Sequence, residues 1–195
     1  MNDKYNQDAM ITSEGFFYQD GITLAKNLIG KYLCRQINGH KLYGKIVETE
    51  AYMGTEDKGS HTYNGKKTNR TKILFEGGGL VYVYTIYGIY TCFNIVANRD
   101  TVPEAVFIRA IEPISGIDIM QKSRKLKNNQ KRNLTNGPAK LCQALQINKQ
   151  FYGYDLKKEQ ELYIKEGEQV NNIVSKTRVN IDYAEEDKDN PWRFF

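Results

Sequence analysis

LVYVYTIY (residues 80–87), CFNIVA (92–97) and AVFIRAIE (105–112) run almost end to end through the middle of a 195-residue chain. They are β-branched and aromatic nearly throughout, the composition that fits a pleated, half-buried surface. The connections between them are short, so the three are expected as neighbours in a mostly antiparallel sheet. Upstream, residues 41–52 alternate at period two, with Val47, Thr49 and Ala51 on one side and Glu48, Glu50 and Tyr52 on the other. Before that, Asp20 can cap a helix carrying Ile22, Ala25, Leu28, Ile29 and Tyr32, which stops near Gly30 or Leu33. Pro113 and Pro138 each suit the first turn of a helix, and Leu141, Ala144 and Leu145 give the second an apolar stripe. Residues 1–14 are expected as a loosely ordered tail, and the acidic stretch 182–189 as a surface segment. No internal repeat or Pro/Ser-rich linker divides the chain. The expectation is α+β: a single domain over 15–195, with a mostly antiparallel curved sheet flanked by helices.

Composition narrows the classes without choosing one. Hydrophobic residues make up 40% and charged residues 26%, a globular balance. The 14 tyrosines stand out, since a flat apolar face with a polar tip suits stacking at wet sites. A formal charge of +5 allows a polyanionic partner without demanding one. Cys34, Cys92 and Cys142 lack metal-ligand spacing and read as reduced core thiols. The polar start MNDKYNQDAM and the lack of a long apolar run predict no membrane span and a cytoplasmic location, with the nucleoid as the bacterial setting.

The chemistry gathers around the strand at 41–52. Glu48 and Glu50 share one side of it, and two carboxylates so close raise at least one pKa unless a cation sits nearby. Surface strands often carry Glu, so a solvated face remains open at this point. Glu56, Asp57 and His61 follow, then a basic loop with Lys58, Lys66, Lys67, Arg70 and Lys72. A basic loop beside a carboxylate strand is what a phosphate-bound substrate with a general base would need. A second basic stretch, 121–140, holds Lys122, Arg124, Lys125, Lys127, Lys131, Arg132 and Lys140 without one acid. Two such runs on a chain of +5 sort the charge to one side, as a duplex backbone would favour.

The tyrosine strand has two readings, packing or contact. Tyr82 and Tyr84 share a face in a regular strand, while Tyr87 lies on the other. Gly88 implies a tight bend that pushes Tyr87 and Ile89 to an exposed tip. An exposed aromatic beside an aliphatic residue is a poor surface unless it inserts into something, such as the gap between unstacked bases.

KIVETEAYMGTEDKGSH, LVYVYTIYGIYTCFNIV, FIRAIEP and NGPAKLCQAL occur in order across residues 16–151. Through them the chain resembles the alkyladenine (3-methyladenine) DNA glycosylases. The resemblance implies that Glu50 is the general base for the attacking water and that Arg109 helps hold that water and a nearby phosphate. Tyr52, His61 and Tyr84 match the aromatic walls around a flipped base, with the His61 main chain on the base edge. Asn94 matches the residue that crowds the exocyclic amine of normal guanine, and Tyr87 the wedge that fills the gap in the duplex. Tyr87, Ile89 and Lys140 are the expected DNA contacts. Ile89 stands where the vertebrate enzyme has methionine, and residues 98–104 and those after Ser123 depart from the pattern.

The activity this implies is a monofunctional hydrolase. It would flip damaged purines out of double-stranded DNA and cleave the N-glycosidic bond, leaving an abasic site without strand cleavage. It would work as a monomer with no metal and no cofactor. Two other classes compete. A metal-dependent phosphoesterase would use Glu48, Glu50, Glu56, Asp57 and His61 as ligands, and an EDTA test separates it. A non-catalytic RNA- or single-strand-binding module would explain the tyrosines but leave Glu48 and Glu50 unused.

Overall fold

The computed structural model describes residues 9–126 and 133–195. The three strands expected from the central stretch are present. β3 (Val81–Ile86), β4 (Tyr90–Ala97) and β5 (Glu104–Ser115) pair antiparallel in sequence order. β5 then pairs with the long β2 (His40–Tyr52). The sheet continues through β1 (Tyr32–Ile37) to β6 (Leu162–Lys165), giving the order β3-β4-β5-β2-β1-β6. Near the C-terminus β7 (Ser175–Lys176) and β8 (Arg193–Phe194) form a short pair, and β8 adds to β2 beyond the reach of β1. All of these pairings are antiparallel, and with the flanking helices they make an α+β fold.

Neither β1 nor β6 was expected from the sequence. β1 turns into β2 through Asn38-Gly39, both at positive φ (48° and 79°), the dipeptide that a tight two-residue hairpin turn demands. Tyr32 opens β1 and does not belong to the helix before it. That helix, α2 (Gly21–Leu28), follows α1 (Glu14–Phe17) and is capped as expected, Asp20 Oδ1 accepting from the Thr23 N–H at 3.0 Å. It ends at Ile29, whose backbone is already extended, and Gly30 follows at φ +86°, where a Cβ would lie 2.3 Å from the Glu168 carbonyl oxygen.

Two bulges shape the middle of the sheet. Ile46 faces Ile111 while Glu48 faces Ala110, which leaves Val47 as an extra residue on β2. Thr49 then faces Ile108, which leaves Arg109 as an extra residue on β5. The buried positions of β2 therefore switch from Leu42, Gly44 and Ile46 to Thr49 and Ala51. Val47 leaves the packed side to which simple alternation assigned it and is half-buried. Pro113 is likewise not at a helix start. It lies inside β5 opposite Gly44, at a further irregularity, and the next helix, α3 (Ile117–Ser123), begins after the strand ends. Pro138 does open α4 (Pro138–Ala144).

One face of the sheet packs against α2 and α4. Leu24 and Leu28 from α2 and Leu141 from α4 meet Ile46, Phe93, Ile95 and Ile108 in the main core, together with Leu145 just past α4. Each such fully buried side chain contributes about 1.5–3 kcal/mol relative to exposure. Among the described residues the other face carries a small cluster of Ile73, Leu74, Tyr82, Val96 and Ala105. That face is where the polar residues of β2 emerge. The three cysteines are buried and form no disulfide among the described residues. Residues 1–8 of the tail lie outside the described residues, while Met10 bridges Lys165 and Ile11 is buried. Lys127, Lys131 and Arg132 of the second basic run also lie outside the described residues.

Candidate active site

Glu50 is fully buried although it stands on the polar side of β2. Its neighbours on the sheet are Phe107 of β5 and Arg193 of β8. Oε1 accepts from the Val179 N–H at 2.8 Å and faces Arg109 Nη1 at 3.3 Å. Oε2 accepts from the Tyr52 hydroxyl at 3.1 Å. Burial pushes the carboxyl above its usual range, opposed by Arg109, the Val179 N–H, Tyr52 and Arg178. A carboxyl held this way is a stronger base than an exposed one and is still steered toward ionisation by a cation.

Arg109 owes its place to the bulge. As the extra residue of β5 it reaches both acids, donating from Nε to Glu48 Oε1 at 3.1 Å. Arg193 Nη1 reaches the same Glu48 oxygen at 3.0 Å. The two carboxylates of β2 are therefore interleaved with two guanidinium groups, which removes the repulsion that their spacing alone would create.

Beside this network lies a narrow slot of about 40 Å³, lined by Tyr52, His61, Tyr82, Tyr84, Asn94 and Tyr183, with Gly59 and Ser60 at its edge. Tyr82 and Tyr84 stack at 5.4 Å, and His61 meets Tyr84 edge-on at 4.7 Å. His61 Nδ1 is 2.8 Å from the Tyr82 hydroxyl. Burial, with Arg70 and Lys66 nearby, pulls the imidazole down to about 4, so the ring is neutral at physiological pH. Asn94 donates from Nδ2 to the Tyr82 carbonyl at 3.1 Å, which fixes its amide. Tyr183 joins the slot from the C-terminal segment, its hydroxyl donating to the Gly59 carbonyl at 3.2 Å. A larger concavity of about 660 Å³ lies elsewhere, between residues 26–31 and 166–170, and brings no aromatic cluster to a buried acid.

A family model described as methylpurine-DNA glycosylase matches residues 15–195. The chain belongs to that family. A protein of Natranaerobius thermophilus named "Putative 3-methyladenine DNA glycosylase" is 52% identical over 182 residues, 92% of either chain. Proteins of the same name from Clostridium novyi and Clostridioides difficile are 50% and 46% identical, over 92% of this chain and 92% and 97% of theirs.

The fold brings Glu50, Tyr52, His61, Tyr84, Asn94 and Arg109 of this family member into one region. Tyr87 and Ile89 stand apart, 87% and 70% exposed, at the tip of the β3–β4 hairpin. Ile86 pairs with Tyr90, so residues 87–89 form the turn, with Tyr87 at φ 52° and Gly88 at φ 73°. Lys140 lies on the first turn of α4, bonded to Asn136 Oδ1 at 2.8 Å, and does not line the slot.

Several residues in and around the slot lay outside the sequence reading. Tyr82 shares a face with Tyr84, as the strand period predicts, and its hydroxyl also holds His61. Arg178, Val179, Tyr183 and Arg193 come from the far end of the chain, where no motif marked them. The acidic stretch 182–189 is largely exposed, as expected, but it also closes over the site. Glu185 and Glu186 grip Lys58 Nζ at 2.5 and 2.7 Å, and Asp187 accepts from the Lys58 N–H at 2.9 Å. The acids of the phosphoesterase reading are dispersed. Asp57 is paired with Arg178, Glu48 with Arg109 and Arg193, and among the described residues no three His, Cys, Asp or Glu side chains form a metal-ligating group.

Proposed function

We propose that this chain is a monofunctional DNA glycosylase that releases alkylated or otherwise damaged purines of the 3-methyladenine type from duplex DNA. The observation that carries the reading is a buried, cation-held carboxylate at the edge of an aromatic slot, with a bare tyrosine at the end of the hairpin that builds the slot.

The glycosidic bond of a purine is hidden in the duplex, so the nucleotide is rotated out at a cost of a few kcal/mol. Tyr87 fills the space it leaves, with Ile89 beside it. The base enters between Tyr52, His61 and Tyr84, where stacking returns roughly 1–3 kcal/mol per contact. Tyrosine faces also favour a base that carries positive charge. The neutral His61 imidazole adds no repulsion against such a base. The bond breaks toward an oxocarbenium-like sugar. Glu50 takes a proton from the attacking water, and its negative charge stabilises the cationic sugar. Arg109 positions that water and the adjacent phosphate. Asn94, its amide fixed on Tyr82, crowds the exocyclic amine of an undamaged guanine. Among the described residues no lysine lines the slot to form a Schiff base, which favours water as the nucleophile and an abasic site as the product. Lys140 and the two basic runs contact phosphates. The enzyme acts as a monomer on double-stranded DNA.

Duplexes carrying 3-methyladenine, hypoxanthine, ethenoadenine or 7-methylguanine test this directly. The expected result is free base in solution and strand breaks only after alkali treatment. Breaks without alkali would replace water by an amine nucleophile, and no released base from any of the four would defeat the reading.

A further inference from the structure

Asp57 and Arg178 form an ion pair whose side chains are both fully buried. The contact is bidentate, Nη1 to Oδ2 at 2.5 Å and Nη2 to Oδ1 at 2.8 Å. A buried pair is a weak source of stability, because desolvating two charges offsets most of their attraction. What it connects is more informative. Arg178 also donates to the carbonyls of Ala51 and Asp187, at 3.2 and 3.1 Å. Asp57 accepts from the N–H groups of Met53 and Gly59, at 3.0 and 2.8 Å. The pair thus ties together three pieces of chain: the end of β2 that carries Glu50 and Tyr52, the loop that opens the slot, and the C-terminal segment.

Two further contacts aim this junction at the chemistry. Val179, next in sequence to Arg178, is the residue whose N–H holds Glu50 Oε1. The Arg178 guanidinium lies 4.9 Å from the ring centres of both Tyr52 and Trp192. Tyr52 lines the slot and Arg178 does not, so the cation touches the slot through Tyr52.

We propose that Asp57 and Arg178 are positioning residues for the reaction: the pair locks the C-terminal segment so that the Val179 N–H stays on Glu50 and Tyr52 stays in register with the slot. This rests on reading Glu50 as the general base. The groups facing Glu50 are Arg109 from β5, Tyr52 from its own strand, and Val179, Arg178 and the more distant Tyr183 from the C-terminal segment. Glu48 shares its strand and is neutralised by Arg109 and Arg193. Loosening the segment therefore removes one hydrogen bond and one nearby cation from the carboxylate, and both losses disfavour its charged form.

The double variant Asp57→Asn with Arg178→Met removes both charges and keeps an acceptor for the Gly59 N–H. Under single turnover on a lesion duplex, excision should slow by at least roughly 10-fold while the KM stays within about threefold, as misplacement of a catalytic group predicts. The acidic limb of the rate profile should move upward by about half a pH unit or more. Hydrogen exchange at the Val179 amide should accelerate, an effect that does not depend on any activity. A folded double variant with wild-type rate, acidic limb and Val179 protection overturns the proposal. Arg178→Lys serves if the double variant does not fold, since a point charge cannot make the forked contact and reach both carbonyls. Its expected phenotype is the same loss of rate and of Val179 protection, and a wild-type result for both overturns the proposal equally. Wild-type protein that releases no base would defeat the reading of Glu50, and the exchange measurement would still decide whether the pair holds the segment.

Discussion

The Tyr52 hydroxyl donates to Oε2 of Glu50 across 3.1 Å, so the residue that walls the slot also holds the carboxylate beside it. The two sit on one side of β2 because of the period of the strand, Glu50 fully buried and Tyr52 half-buried beside it. A base stacked on Tyr52 is thereby tied in position to the group proposed to activate water. Tyr52 loses acidity in this environment, chiefly through burial and then through the adjacent Glu50 charge, and so remains a donor.

Replacing Glu50 by Gln keeps the shape of this arrangement and removes the base. Excision should fall by at least roughly 100-fold while affinity for lesion DNA is retained, as expected for loss of a general base. Single-turnover rates near wild type would remove Glu50 from the mechanism. The same variant should melt no lower than wild type at neutral pH. The folded protein raises the Glu50 pKa above its unfolded value, so the ionised form destabilises the fold above the folded pKa and this penalty vanishes below the unfolded one. The melting difference between the two proteins should therefore close as pH falls.

The pH profile of excision should carry one acidic limb set by Glu50, above the range of an ordinary glutamate. Activity rises with pH through that limb, because the base works only when ionised. His61, pulled down to about 4, is neutral on both sides of the physiological range and should contribute no inflection near pH 6.5. Comparing the profile with that of His61→Asn tests the assignment. If the substitution abolishes an inflection near neutrality, the imidazole carries a proton in the reaction after all.

Much of the fold was legible because its signals are local. Strands β3, β4 and β5 announce themselves by β-branched and aromatic runs, and Asp20 by its place before a helical stripe. Asn38-Gly39 was equally local and would have revealed β1 and its hairpin. The bulges at Val47 and Arg109 were not legible, because each exists only relative to the partner strand. Period two was right for Glu48, Glu50 and Tyr52, since all three lie on the same side of the break. Arg178 was hidden for a similar reason. Its partner Asp57 is 121 residues away, and nothing in the composition around an arginine tells that it will be buried. The roles of Glu50, Arg109, Tyr52, His61 and Tyr84 came instead from the motifs of the family, whereas Tyr82 and Tyr183 of the slot did not.

Binding to duplex DNA should depend strongly on salt. Phosphate contacts from Lys and Arg in residues 58–72 and 122–140 would displace counterions, and affinity would then fall as salt rises with a slope set by the number of contacts. Lys58 belongs to these runs by sequence but is held by Glu185 and Glu186. Lys58→Ala should therefore change the salt slope less than Lys140→Ala does. Fluorescence anisotropy between low and physiological salt gives both slopes, and a flat titration for wild type would reduce the basic runs to solvated surface.

Tyr87 separates extrusion from chemistry. Among the described residues it is the most exposed of the large apolar side chains, and its backbone takes φ 52°, which few residues other than glycine and asparagine adopt without strain. A bulky side chain in such a turn, facing solvent, gains nothing from the fold of the protein alone. Its loss should lower the population of the extruded nucleotide and leave the bond-breaking step intact. The effect of Tyr87→Ser should be largest for a well-paired lesion and smallest for one in a mismatch or bulge, where extrusion already costs little. Glu50→Gln, by contrast, should impair these substrates alike. Stopped-flow fluorescence of a duplex containing ethenoadenine reports the flipping equilibrium directly. An unchanged equilibrium with a slowed excision step would move Tyr87 out of the duplex and into the chemistry of the slot.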